Sequence, residues 1–160
     1  MLLSTGPMDS ALRSLPEEAF ENLLVVSVSD EPADLEQTVT DLGHDPDRIG
    51  VVPVSATPVA TAEEAWTAPR VSPSDLTGIS IGIAQGMRYV RPDHGWFVFD
   101  DLGVLFMHAE AARVCQLVST LAAKCSARDV TGVYGVVPDA IDDGAYAQIE
   151  SLLDGVLDRR

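Results

Sequence analysis

Trp96-Phe97-Val98-Phe99-Asp100-Asp101 decides how this chain folds: four bulky apolar residues end abruptly on two acids. A short run that is apolar at every position, bounded by a sharp change, suits a strand covered on both faces, as in a parallel sheet flanked by helices. Such a strand delivers its last residues to the carboxyl edge of the sheet, where open α/β sheets bind their ligands. Asp100 and Asp101 are therefore the first candidate site residues. A divalent metal is the ligand that paired carboxylates suit.

Outward from that strand, apolar runs alternate with helical patterns. Leu2-Leu3-Ser4-Thr5 reads as a short first strand, and residues 10–20 as a helix. Leu23 to Ser29 is apolar and β-branched, a strand. Asp30-Glu31-Pro32 opens a helix, because acids suit the positive end of the helix dipole and proline is tolerated in the first turn. Leu35, Val39 and Leu42 form its apolar stripe, and Gly43 stops it. Val51 to Ser55 is a third strand. Residues 56–74, broken by Pro58, Pro69 and Pro73, read as a surface loop, with Trp66 either pinning it to the body or meeting a partner.

Leu76, Ile79, Ile83, Met87 and Val90 recur at steps of three and four, which predicts a helix over 75–90. Gly78, Gly82 and Gly86 share one face of it, where each costs about 1 kcal/mol relative to alanine. A close approach to the sheet, or a seam between two copies, would offset that cost. A long helix is expected over 108–127, a strand over 130–137, and a last helix carrying Tyr146, Ile149, Leu152 and Leu153. Gly155-Val156-Leu157 either extends that helix or forms an edge strand, the preferred reading. Helices separating apolar strands imply parallel crossovers. The fold class is a three-layer α/β/α sandwich with a mostly parallel sheet, in one domain over residues 1–160.

The chain has 25 acids against 10 Lys and Arg, a formal net charge of −15, and 46% hydrophobic residues. No basic patch can be assembled for a nucleic-acid backbone. The acids are dispersed, so in dilute buffer they repel one another across a folded surface. Molar salt, with a Debye length of about 3 Å, screens that repulsion. A salt-loaded cytoplasm fits this balance. No apolar stretch approaches the ~20 residues of a membrane helix, and no signal peptide is recognisable, so a membrane partner is not expected and a cytoplasmic location is. Cys115 and Cys125 lie too far apart along one helix for a disulfide. His44, His94 and His108 show no metal spacing.

Two α/β site types lack their signatures. A dinucleotide-binding turn needs Gly-x-Gly-x-x-Gly after the first strand, where this chain has Gly6-Pro7-Met8-Asp9. A phosphoryl-accepting receiver needs a lysine at a strand end, and the only lysine, Lys124, sits late in a helix.

The order of strand, Ser29-Asp30-Glu31-Pro32, helix, Leu42-Gly43, short strand, loop, helix and Phe97-Val98-Phe99-Asp100 resembles the RecA/KaiC-like group. With Leu76-Thr77-Gly78-Ile79 and Asp154-Gly155-Val156, the whole chain resembles small haloarchaeal RecA/KaiC-like proteins of uncharacterised function. That resemblance places Asp100 at the magnesium-associated acid. It places Glu31, before Asp30, at the acid that orients the attacking water. Where active members carry a long glycine-rich loop ending in Lys-Thr, this chain has Gly6-Pro7-Met8-Asp9-Ser10-Ala11-Leu12.

A phosphate loop works by aiming backbone N–H groups and an ammonium at the anion. Here Asp9 or Ser10 is placed to cap those N–H groups, and an aspartate repels phosphate by about 1 kcal/mol at 4 Å in water. The sequence thus predicts a degenerate phosphate loop (a degenerate Walker A), no ATP or magnesium cofactor and no hydrolysis. Glu31 and Asp100 are then vestigial catalytic candidates, and Asp100 and Asp101 are the remaining metal candidates. Asp139, Asp142 and Asp143 extend that acid set. The expected function is a non-catalytic domain acting through protein contacts, in signalling or regulation, with self-association admitted by the family likeness. The alternative is a nucleotide or small-ligand sensor that binds at the carboxyl edge without hydrolysis.

Overall fold

The computed structural model describes residues 2–4, 11–28 and 30–158. Among the described residues, seven strands, β1 (Leu2–Ser4), β2 (Leu23–Ser27), β3 (Ile49–Pro53), β4 (Trp66–Thr67), β5 (Trp96–Phe99), β6 (Thr131–Val136) and β7 (Val156–Asp158), form one sheet in the order β4-β3-β2-β5-β6-β1-β7. Every pairing is parallel. The Trp96–Phe99 strand is central, with Phe97, Val98 and Phe99 buried on both faces, as its unbroken apolar run requires. The helices are α1 (Pro32–Asp41), α2 (Leu76–Met87), α3 (Gly103–His108), α4 (Ala111–Ala127) and α5 (Asp143–Leu152).

The strand order dictates which face each helix covers. Passages from β1 to β2 and from β2 to β3 move toward the β4 edge, whereas β4 to β5, β5 to β6 and β6 to β7 move toward the β7 edge. Right-handed crossovers must then put α2, α4 and α5 on one face and α1 on the other. The packing agrees. Ile79, Ile83, Val118, Leu121 and Ile149 meet Leu24, Val26, Phe97 and Phe99 on the first face. Leu12, Phe20, Leu35 and Val39 meet Val25, Val51, Val98 and Val133 on the second. The result is the expected three-layer sandwich.

Several expected boundaries move. The helix predicted over 10–20 is replaced by two 3-10 turns, Ala11–Ser14 and Glu17–Glu21, and Ser10 lies outside the described residues. Pro16 has no N–H for a continuous ladder, so Leu15 N–H closes on Leu12 O at 3.2 Å and Ala19 N–H on Pro16 O at 3.1 Å. The helix expected over 108–127 starts later, at Ala111, because Ala109 is extended and ends α3, and Glu110 takes the N-cap position of α4. His108 therefore closes α3 rather than opening α4. The third strand begins two residues early, at Ile49, and Val54 forms only an isolated bridge to Val71. Gly155-Val156-Leu157 leads into the preferred edge strand, β7, parallel to β1.

Within 56–74 the chain returns to the sheet: β4 pairs with β3, and Trp66 packs on Tyr89 at 5.4 Å between ring centroids. The glycine face of α2 is explained by packing within the molecule. A Cβ on Gly86 would stand 2.6 Å from Leu24 Cδ1, and one on Gly82 would stand 3.0 Å from Val52 Cγ1. Gly43, at φ +87°, ends the α1 segment as expected. Cys115 and Cys125 are buried free thiols, and His44 stacks on Phe20 at 4.2 Å. Among the described residues no helix is long and apolar enough to cross a membrane.

Candidate functional site: the carboxyl edge

Neighbouring strands β2 and β5 send their connections to opposite faces, to α1 and to α3–α4. Their carboxyl ends therefore bound the crevice where doubly wound sheets take ligands. Three of the sequence candidates lie on its rim. Each is occupied by the backbone of its own fold.

Asp100 Oδ1 accepts the Val28 N–H at 2.9 Å, and Asp100 N–H donates to Val26 O at 3.1 Å. One aspartate thus extends the β2–β5 ladder past its last strand residues with both main chain and side chain. On its other side the β6 backbone presses close at Gly135. A Cβ there would stand 3.0 Å from the Asp100 carbonyl carbon and collide with its oxygen. Gly135 O also accepts the Leu102 N–H at 2.9 Å. Asp100 is held from both neighbouring strands.

Asp101 turns away into the start of α3, where its Oδ1 accepts the Gly103 N–H at 2.8 Å. Burial pushes its carboxyl above the usual aspartate range, and the Gly103 N–H pulls partly the other way. Glu31 stands at the N-cap of α1 without capping it. Its Oε2 instead accepts the N–H of Ala60, while Ala33 N–H donates back to Ala60 O at 3.2 Å. Glu31 is thereby a clasp on the 56–65 segment. Beside it, Asp30 is also raised, first by burial and then by the Asp34 charge.

The acids after β6 do not join Asp100 in a metal group. Asp142 caps α5 through the Ala145 N–H at 2.7 Å, and Asp139 and Asp143 are exposed. The three acids among the described residues that do approach one another are Asp45, Asp47 and Glu64, all exposed, at the opposite edge of the sheet. The Glu64 carboxyl is raised there, chiefly by the Asp47 charge. The Asp-x-Asp pair was visible in the sequence, but Glu64 joins it only through the β3–β4 pairing.

Asp100, Asp101 and Glu31, the acids at this edge, each accept a backbone N–H with one carboxylate oxygen. Lys124, the only lysine, is in the last turn of α4 at the amino edge. The Gly6-Pro7-Met8-Asp9-Ser10 stretch lies outside the described residues.

A family model described as a family of unknown function, DUF7504, matches residues 4–158. No curated protein matches the chain. Among solved structures, the KaiC-like protein PH0186 from the hyperthermophilic archaeon Pyrococcus horikoshii OT3 superposes with a TM-score of 0.64 at 16% identity, covering 98% of this chain and 70% of that one. A second protein of the same organism, studied as Project ID PH0250, gives a TM-score of 0.60 at 9% identity, covering 98% of this chain and 79% of the other. At these identities the likeness is one of fold: the architecture is KaiC-like.

Proposed function

The chain belongs to DUF7504, a family of unknown function, and from that premise we propose that it is a non-catalytic KaiC-like domain acting through contacts with another protein, in signalling or regulation. The observation that carries this reading is the Asp100–Val28 bond, which spends the central strand's acid on the sheet itself. Glu31 and Asp101 point the same way, each being engaged by a nearby backbone N–H. The first turn, Gly6 to Leu12, lacks the lysine and later glycines of a phosphate loop, so we read it as degenerate. The net charge of −15 further supports a salt-loaded cytoplasm of the haloarchaeal kind.

The test is a titration of Mg–ATP and Mg–ADP into the protein in molar KCl, following heat, melting temperature and phosphate release. No saturable heat, no stabilisation and no turnover are expected. Turnover abolished by Asp100→Asn would overturn the non-catalytic reading. Saturable binding without turnover, weakened by Glu31→Gln or Asp100→Asn, would replace it with a sensor that binds at the carboxyl edge.

A further inference from the structure

The two faces of the sandwich differ in the sign of their charge. Residues 76–92 and 111–128, which hold α2 and α4, contain none of the 25 acids and five of the ten cations: Arg88, Arg91, Arg113, Lys124 and Arg128. Acids resume immediately outside both stretches, at Asp75 and Asp93 and at Glu110 and Asp129. The two helices share one face, and a groove of about 250 Å³ between them has Thr77, Ser80, Arg113 and Gln116 in its walls. Beyond α4, α5 again carries acids, Asp143 and Glu150, so the acid-free area is bounded.

The opposite face is the reverse. Residues 15–65, which include α1 and the Glu17–Glu21 turn, carry twelve acids and one cation, Arg48. Asp34 and Asp41, two turns apart on α1, are both exposed. Glu36 holds a further pair of acids beside them: its Oε2 accepts the Glu64 N–H at 3.0 Å and the Ala65 N–H at 3.1 Å, which fixes the exposed Glu63 and Glu64 against the helix.

An acidic chain kept apart from its neighbours by repulsion alone has no reason to leave one face without acids. The core of a protein interface does have one. It is depleted in aspartate and glutamate and keeps arginine and aromatic residues, because a carboxylate enclosed without a cation loses its hydration uncompensated. The outer side of α2 and α4 has that composition. Ile81 and Tyr89 are 56% and 64% exposed. Thr77, Ala84, Gln116 and Ala123 are exposed and uncharged, and Arg88, Arg113 and Lys124 stand exposed toward the helix ends. The glycines of α2 take no part in this, since they face the sheet.

We propose that the α2–α4 face docks on the acidic α1 face of a second copy of this chain, front to back. Charge complementarity selects this occupant. Pairing two α2–α4 faces would set cation against cation, whereas the α1 face offers the opposite sign. The contact is heterologous, so each copy in a pair keeps one face free and association continues beyond two. The carboxyl edge is left uncovered, and the inference does not rest on the function proposed above.

Sedimentation of the whole chain in molar KCl, where repulsion between copies is screened beyond about 3 Å, tests it at protein concentrations up to about 1 mM. The mass is expected to rise with concentration and to pass that of a dimer. Two variants reverse one face each: Arg113→Glu with Lys124→Glu, and Asp34→Lys with Asp41→Lys. Each should stay monomeric alone. Mixed, they should form a one-to-one complex, because the first keeps the acidic face and the second the cationic face. Should either reversal fail to fold, the neutral pairs Arg113→Gln with Lys124→Gln and Asp34→Asn with Asp41→Asn replace it, each expected to weaken self-association at least tenfold. A parent that is monomeric at every concentration overturns the proposal and leaves the face to a different protein, without touching the outcome of the nucleotide titration. Self-association of the Asp34→Lys, Asp41→Lys variant alone overturns it in favour of symmetric pairing. Failure of the two folded reversal variants to combine on mixing overturns it as well.

Discussion

Asp100 Oδ1 accepts the backbone N–H of Val28 at 2.9 Å, joining the ends of two adjacent strands across 72 residues of sequence. The bond sits where β2 and β5 diverge to opposite faces, so the residue best placed for metal chemistry is spent on holding the switch point together. Asp100→Ala leaves the Val28 N–H without this acceptor and should cost about 2 kcal/mol. Asp100→Asn keeps an acceptor oxygen and should cost less. Denaturant melts of both variants in molar KCl check this ordering. A carboxylate kept for a ligand would behave oppositely, its removal leaving the free protein as stable or more so.

Gly135→Ala should be the most damaging of the small glycine substitutions. The new methyl meets the Asp100 peptide, whose carbonyl carbon would stand 3.0 Å away, and a backbone paired on both sides cannot step aside. A loss of about 3 kcal/mol or more is expected. Gly86→Ala meets instead the tips of Leu24 and gains helix propensity, of about 1 kcal/mol, against the overpacking. Its net effect should be smaller. Gly155→Ala, with nothing within 4 Å of the new atom, is the control. Equal losses in all three would show that the close approaches do not govern packing.

The fold was legible because the Trp96–Phe99 run and the 3.6-residue stripe of α2 both carry strong periodic signals, and because right-handed crossovers leave few topologies open. What stayed hidden was pairwise. Nothing in Asp100-Asp101 announces that one carboxylate bonds across the sheet and the other caps a six-residue helix; that depends on where Val28 and Gly103 arrive. The edge strand at Trp66 was hidden for a related reason. Two residues amid prolines carry no alternation, and only the partner backbone at Gly50 and Val51 makes them a strand.

Asp101 gives a pH prediction with a definite sign. Burial raises its folded pKa above the unfolded value of 3.8, so the folded state holds the proton more tightly. Its contribution is most favourable below that unfolded value and is lost as pH rises through the folded pKa. Asp101→Asn removes the buried charge and keeps an oxygen for the Gly103 N–H. The variant should therefore melt a few degrees above the parent at pH 7, and the gap should close below about pH 4. Melting curves of the two proteins across that range check it. A gap that widens in acid would refute the burial argument.

The clasp between Glu31 and Ala60 makes the last prediction local rather than global. Glu31 lies outside the core, and its carboxylate holds the segment running toward β4 by a single N–H, supported by the return bond from Ala33 to Ala60. Replacing it with alanine should change global stability by less than about 1 kcal/mol, because one exposed hydrogen bond contributes little net energy. The 56–65 segment should nevertheless open more often, since local openings draw on local contacts. Amide exchange at Ala60 is expected to quicken several-fold in Glu31→Ala and to be largely restored in Glu31→Gln, while the amides of Val51 and Val98 in the buried strands stay unchanged. Uniform acceleration through the sheet would make Glu31 a support of the whole fold. No change at Ala60 would mean that the segment is held by β4 alone.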